Sequence, residues 1–372
     1  MTVTFLHTSD LQIGMIRWFL DSDAQARFDD ARINAITRLG TIAENTKCEF
    51  IVIAGDVFEH NSLEKKTSGR ALEALKKLPV PVYLLSGNHD PLVADSLFYQ
   101  TENMENVHVL TESTPFEVRK GIEIVGAPLK TRHATHDVLG AALEALEPSE
   151  SVRIAVGHGQ TEARTNEIIP DLISVELAES KLADASVDYI ALGDTHSTQA
   201  VGGTGRIWYS GAPETTDFYE VATNGGEADS GNVLVVTVGK GTAEVQTIPC
   251  GSWVFEALTM PINSQEEAEA FISMLEAYPD KSTTVIKYAL QGTVSLSTMK
   301  YVEQEVARLQ PIFAALYERH RLMDFHVDPS AEELSDLGLH GFAKATLEEL
   351  AATDSQVARD AVNLLFRLSK EQ

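Results

Sequence analysis

Positive charge is scarce in this chain. Its 372 residues hold 29 Lys and Arg against 55 Asp and Glu, a net charge of −26. That balance excludes a protein whose whole surface grips nucleic acid, because phosphate contacts come from clustered cations. It fits a solvated, soluble surface, and a polyanionic substrate would need local cations, which bound metal ions could supply. Cysteine is nearly absent. Cys48 and Cys250 stand far apart, so no disulfide framework is expected, which suits a reducing cytoplasm. No apolar run approaches membrane-spanning length. The opening MTVTFLHTSD has no basic segment leading into an apolar core, so a cytoplasmic rather than a secreted location is expected. Repeats and low-complexity tracts are missing too. What is there is a globular composition, 44% hydrophobic and 23% charged, long enough for a large core and more than one domain.

Through the first two thirds of the chain, short apolar runs alternate with helical periodicity. The strand-like runs are VTFLHT (3–8), FIVIAG (50–55), PVYLLSG (81–87), IEIVGAP (122–128), RIAVGHG (153–159), YIALGD (189–194), IWYSG (207–211) and NVLVVTVG (232–239). Several are continuously apolar, the pattern of strands covered on both faces. Residues 24–46 and 63–78 read as helices, the second capped by Asn61 or Ser62. GGTGR (202–206) and TNGGEADSG (223–231) read as turns. After Pro249-Cys250-Gly251 the pattern changes. A strand at 255–260, a helix opened by Asn263 or Ser264, a strand at 283–292, a helix from about Ser297 to Arg319 and a strand at 322–327 make a small α/β domain. The tail, 331–372, is helical, with Leu347, Leu350, Val357, Ala361, Leu364 and Leu365 on one side.

Five strand-like runs end in residues suited to metal or acid–base chemistry. They are Asp10 and Gln12 in SDLQIG, Asp56 in AGDVF, Asn88, His89 and Asp90 in SGNHDP, His158 in GHG, and Asp194 and His196 in GDTH. A single Asp after a strand is ordinarily a turn cap, and a single buried His ordinarily satisfies a carbonyl. An amide, an imidazole and a carboxylate in a row, framed by Gly and Pro, are hard to explain as turn chemistry alone. In an α/β sheet, ligands gather beyond the carboxyl ends of strands, so these loops can converge. Oxygen donors from Asp, Asn and Gln with nitrogen from His suit manganese, iron or zinc. A carboxylate between two metals, here Asp56, would hold the pair, which binds a phosphate and activates a water.

These motifs resemble the calcineurin-like metallophosphoesterases and, within them, the SbcD-type DNA repair exonucleases. FLHTSDLQIG is similar to the family's HTSD-x-H-x-G, and AGDVF, SGNHD, the isolated GH and the late GD-x-H follow in the family's order. YSGAPETTDF (209–218) is similar to the stretch after the last metal motif. The resemblance covers 1–250. It implies a four-layer α/β/β/α sandwich there, an α/β cap over 251–330, and a helical tail over 331–372 as a candidate partner-docking segment. It also implies that Asp10, Gln12, Asp56 and His196 surround one metal and Asp56, Asn88, His158 and Asp194 the other. His89 would protonate the leaving oxygen, with Asp90 orienting it. The family places His at Gln12 and at Asp194, and often at Glu59. Three carboxylates would then face two dications, and the oxygen-richer site leans to Mn2+ or Mg2+ rather than Zn2+, with Fe2+ a further candidate.

Three functions follow. One is a metal-dependent DNA exo- or endonuclease working with an SbcC-like coiled-coil ATPase, with a homodimer as a candidate assembly and no membrane. The second is the same chemistry on nucleotides or other small phosphoesters, which the acidic balance favours. The third is a weakly active or non-catalytic metal-binding scaffold, which the two ligand replacements favour and His89 opposes. Arg17, Trp18 and Phe19 are candidates to meet a nucleic-acid strand, with ordinary packing the alternative for both aromatics. Lys130, Arg132 and His133 form a small basic spot near a strand end, which a solvated loop would also explain.

Overall fold

The computed structural model describes residues 1–162, 169–220, 225–328 and, with gaps, 341–364. The chain forms two compact units. Met1–Trp18 and Gln25–Trp253 make the first, and Phe19–Ala24 and Val254–Gln372 the second.

The first unit holds two six-stranded sheets. Its elements in chain order are β1 (Thr2–Thr8), α1 (Ser22–Thr46), β2 (Ile51–Ala54), α2 (Lys65–Lys76), β3 (Val82–Leu85), β4 (Val107–Val109), β5 (Phe116–Arg119), β6 (Ile122–Gly126), α3 (Val138–Glu144), β7 (Val152–His158), α4 (Val175–Ala183), β8 (Tyr189–Gly193), β9 (Gln199–Val201), β10 (Ile207–Tyr209), a small hairpin β11 (Tyr219–Glu220) and β12 (Gly225–Gly226), β13 (Asn232–Gly239) and β14 (Thr242–Pro249). The first sheet runs β14-β13-β1-β2-β3-β4 and the second β5-β6-β7-β8-β10-β9. β1 to β4 are parallel, as are β6, β7, β8 and β10.

Strand periodicity explains the layers. In β2, Ile51 and Ile53 point into a cluster with Ile36, Leu39 and Ala43 of α1 and Leu75 of α2. Val52 and Ala54 point the other way, into a cluster with Ile154, Val156 and Tyr189 of the second sheet. The far face of that sheet packs Ala155, Ile190 and Leu192 against Leu139 and Leu143 of α3 and Leu182 of α4. The order is therefore α/β/β/α, as expected, and strands buried on both faces are apolar throughout. The helix over 63–78 starts later than the sequence suggests. Its cap position is Glu64, which makes no side-chain cap bond, while Asn61 instead bonds Pro91 O and Leu97 N.

The second unit carries a four-stranded sheet in which β15 (Val254–Pro261), β17 (Ala315–Glu318) and β18 (Asp324–Val327) all pair parallel to β16 (Thr284–Val294). α5 (Gln265–Ala277) and α6 (Leu296–Leu309) close one core with it. Ser264 caps α5 through Glu267 N. The helix expected to run from about Ser297 to Arg319 stops at Leu309, because Pro311 turns the chain into a short 3-10 segment and ALYE continues as β17. Within the tail, α7 (Phe342–Ala351) buries Leu347 against Val362, whereas Val357 and Leu364 are exposed. The expected single apolar stripe is therefore divided, and Leu365 lies outside the described residues. Among the described residues no helix is long and apolar enough to cross a membrane.

Leu85 is fully buried between the two sheets of the first unit. Leu85→Ala should lower the free energy of unfolding in urea by about 2–5 kcal/mol. Glu244→Gln, on the exposed face of β14, should change it by no more than about 0.5 kcal/mol.

Candidate metal centre

The candidate residues lie where β1, β2, β3, β7 and β8 end. Local hydrogen bonds zip the first two loops together. Asp10 N donates to Gly55 O, Gln12 N to Asp56 O and Ile13 N to Val57 O, each at 3.0 Å. Between the sheets, His158 donates Nδ1–H to Ala54 O at 2.8 Å. That bond fixes the ring and turns Nε2 towards Asn88 Oδ1 (2.9 Å), Asp56 Oδ2 (3.4 Å) and Asp194 Oδ1 (3.8 Å). Gln12 Nε2 donates to Asp56 Oδ2 at 3.0 Å. Asp194 N donates to Asp10 Oδ2 at 3.1 Å, and His196 Nε2 lies 3.8 Å from Asp10 Oδ1. Unbroken contacts thus link all seven residues read from the sequence as metal ligands.

The backbone is bent to achieve this. Six non-glycine residues have positive φ among the described residues, and four of them are Asp10 (53°), Gln12 (47°), Asp56 (51°) and Asp194 (96°). Each costs roughly 1–3 kcal/mol, and such strain gathers at functional sites. Two glycines that precede candidate donors have a different role, close approach. A Cβ on Gly87 would sit 2.1 Å from Asp56 Oδ1, and one on Gly193 would sit 2.0 Å from Ala54 O.

Burial concentrates charge here. It pushes the Asp10 and Asp194 carboxyls above the usual carboxylate range. Burial opposes ionisation of Asp56 too, but the charge and hydrogen bond of His158 outweigh it and hold Asp56 low. Burial likewise works against charged imidazole. At His158 the Asp56 carboxylate prevails and raises the ring well above its usual value. At His196 the hydrogen bond to Glu227 and the charge of Asp10 push it up to about 9. The donor set fits a divalent cation. Donor atoms of Asp10, Asp56 and His158, all buried, lie within 4.8 Å of one another, and Gln12 Oε1 is buried with no hydrogen-bond partner.

A supporting layer escaped the sequence reading. His196 Nδ1 lies 2.8 Å from Glu227 Oε1 and 2.5 Å from Thr216 Oγ1, so Nε2 is the nitrogen left facing Asp10. Thr216 also gives its N–H to Glu227 Oε2 at 2.8 Å, and its carbonyl accepts from Arg17. Buried Arg32 donates to Leu11 O at 2.7 Å and stacks over Phe28, which pins the loop carrying Asp10 and Gln12. Ser9 Oγ donates to Asp10 Oδ2 at 2.5 Å and meets Ser210 Oγ at 2.8 Å. The motif YSGAPETTDF thus works as scaffolding behind His196 and Asp10. Glu227 sits in a Gly-rich stretch that offers no sequence signal for this role.

His89 reaches the site through its backbone, whose N–H donates to Asp56 Oδ1 at 3.0 Å. Its ring nitrogen Nδ1 lies 3.1 Å from Glu59 O and 3.6 Å from the Glu59 carboxylate. The expectation that Asp90 orients His89 is corrected. Asp90 accepts from Gly87 N (2.7 Å) and Phe58 N (3.0 Å), so it braces the loop after β3 instead. Burial and the charge of Asp56 push its carboxyl up to about 7. Of the aromatic pair beyond the first motif, Trp18 is 82% exposed. Phe19 packs on Phe255 and Tyr317 of the second unit, the ordinary packing role.

Two outcomes are expected. Glu227→Ala should leave the His196 ring held by Thr216 alone and weaken divalent-metal affinity by roughly 10–100-fold, measured by competition with a chelating dye. Metal ligation needs neutral imidazole, whereas raised pKa values keep His158 and His196 protonated at pH 7 in apo-protein. Loading apo-protein with Mn2+ should therefore release protons, and affinity should climb with pH towards about 9. Calorimetry in buffers of different ionisation enthalpy reads both effects.

Comparison with known proteins agrees with this geometry. The chain is 26% identical over 241 residues to the DNA double-strand break repair protein Mre11 of Archaeoglobus fulgidus, covering 59% of this chain and 52% of that one. It is 23% identical over 312 residues to YhaO, an uncharacterised metallophosphoesterase of Bacillus subtilis, covering 78% and 72%. This chain therefore spans about half the length of the archaeal relative. A dimetal phosphatase structure from Danio rerio aligns with a TM-score of 0.39 at 11% identity, covering 67% of this chain and 99% of that one, a likeness too distant to carry an argument. Residues 3–198 match the model of the calcineurin-like phosphoesterases, a span that holds every candidate ligand from Asp10 to His196, and the chain belongs to that family.

Proposed function

We propose that this protein is a metal-dependent phosphodiesterase that cleaves DNA. The observation that carries the chemistry is the buried Asp10, Asp56 and His158 cluster, with donor atoms within 4.8 Å of one another. Asp10, Gln12, Asp56 and His196 would hold one divalent ion, and Asp56, Asn88, His158 and Asp194 a second. Bound ions would supply Lewis acidity and neutralise phosphate charge. Five side-chain oxygen donors against two imidazoles favour Mn2+ or Mg2+ over Zn2+.

The chain's own groups do the rest. His158 and His196 present Nε2 because Nδ1 of each is already bonded, to Ala54 O and to Glu227 respectively. His89 has Nδ1 against Glu59 O, so its Nε2 is the nitrogen that can hold a proton for the leaving oxygen. Likeness to the archaeal repair protein supports DNA as the substrate, as does exposed Trp18, an aromatic face on which a base can stack. On this reading the tail would dock on an SbcC-like ATPase in the cytoplasm, and a homodimer would be the working form. The net charge of −26 favours a second reading, turnover of small phosphoesters.

Manganese-loaded protein should nick or shorten a labelled DNA duplex. His89→Ala should slow cleavage by roughly 10²–10⁴-fold, with metal content by elemental analysis unchanged. Turnover of nitrophenyl esters or mononucleotides without any DNA cleavage would establish the second reading instead.

A further inference from the structure

Two clefts adjoin the candidate metal centre within the first unit, and both are lined by Asp194 and Gln160. They differ in charge. The cleft on the His196 side carries Asp194, Asp217 and Glu227, and its one Arg, Arg17, already donates to Thr216 O. The cleft on the His158 side carries Arg132, His133 and His136, with Asp171 as its further acid beyond Asp194. Its volume is about 240 Å³, and its other wall is apolar, built from Leu129, Leu139 and Ile173.

We propose that the His158-side cleft is a subsite for a second phosphate of the substrate, one nucleotide unit away from the phosphate at the metal centre, with Arg132 as the principal anion contact. The inference rests on the phosphodiesterase reading and adds a direction to it. Asn88, His158 and Asp194 line this cleft as well as the metal centre, so a group bound in it lies beside the scissile position. Arg132, His133 and His136 fall within five residues on the loop that follows β6. A hydrogen bond from Thr131 Oγ1 to His133 O (3.0 Å) orders that loop. Among the described residues Arg132 makes no hydrogen bond or ion pair. In a chain where 55 carboxylates compete for 29 cations, that leaves its planar fork available for a phosphate. Each imidazole offers a ring N–H in either protonation state. The apolar wall suits the sugar and one face of the base, and the volume, just below the roughly 300–1,000 Å³ of drug-sized pockets, is on the scale of one small ligand. The opposite cleft offers a phosphate no cation that is not already engaged, since Arg17 donates to Thr216 O and His196 sits between Glu227 and Asp10. A substrate that continues past the cleavage point on one side only would therefore thread that side past Arg132.

The test compares two ligands on manganese-loaded full-length protein by calorimetry, a nucleoside 3′,5′-bisphosphate and the corresponding 5′-monophosphate. Wild type should bind the bisphosphate roughly tenfold more tightly, the worth of one charge-assisted contact. Arg132→Glu should erase that preference and Arg132→Lys should keep most of it, with thermal melting and metal content showing that both variants fold. Equal affinity for the two ligands in wild type, or a preference that survives Arg132→Glu, overturns the subsite. Wild-type hydrolysis of bis(p-nitrophenyl) phosphate, which has one phosphate and no nucleoside, reports the parent reading separately. Failure there sinks the phosphodiesterase and leaves the bisphosphate preference to decide the anion site by itself.

Discussion

Carboxylates cannot stay buried together without positive charge beside them, and the first unit is built around that constraint. Asp10 and Asp56 are almost wholly out of water, and Asp194 is close by. Charges at such separations repel by several kcal/mol even at the effective dielectric of a protein surface. Two imidazoles and a set of backbone N–H donors are the protein's own compensation. His158 meets Asp56, His196 meets Asp10, and the amides of His89 and Asp194 point at carboxylate oxygens. The same arrangement of oxygens and Nε2 atoms is what a divalent cation requires, and a cation would balance the charge more completely than imidazolium does.

Holding that cluster in place dictates features far from it. The two sheets must keep one spacing and one register, because the site draws on both. His158 bonds from the second sheet to Ala54 of the first, and His7 from the first to Tyr189 and Leu192 of the second. Burial keeps His7 neutral by pushing its pKa down to about 3, so this second tie adds no charge. Register does the rest. Gly157 faces Leu192 and His158 faces Gly193, which brings the β7 imidazole beside the residue that leads into Asp194. Strained φ angles at four candidate ligands are tolerated because hydrogen bonds to neighbouring loops and the buried Arg32 over-determine each one.

Much of this was legible in the sequence for a simple reason. Side chains at the carboxyl ends of parallel strands are placed by the strand, so a polar residue after an apolar run can be located without knowing the whole fold. That is why Asp10, Asp56, Asn88, His158 and His196 could be read one by one. Where proximity in sequence was taken as proximity in space, the reading failed. Asp90 follows His89 directly, yet its carboxylate turns back to Gly87 and Phe58, because the tight loop after β3 needs its own N–H groups satisfied. Glu227 and Thr216 were invisible because they reach His196 only through a long excursion past β10. Short elements such as β4, β5 and β9 have too few residues for a periodicity to stand out, and β14 alternates but has few strongly apolar residues. The caps of α3 and α4, Asp137 and Ser174, were there to be read.

The net charge of −26 and the proposed phosphate substrate are reconciled by distance. At physiological ionic strength, exposed charges more than about 8 Å apart are largely screened. The distant surface carboxylates therefore do little to a phosphate already at the site, while they do discourage loose association elsewhere. On the proposed reading, recognition would come from contact: bound cations at the centre, and Arg132 with its neighbouring imidazoles on one side of it. A protein of this kind gains little from nonspecific electrostatic attraction along a nucleic acid. On the proposed reading it would depend on presenting the strand to a small cationic locus in the right direction, and the unequal cation content of the two clefts would set that direction.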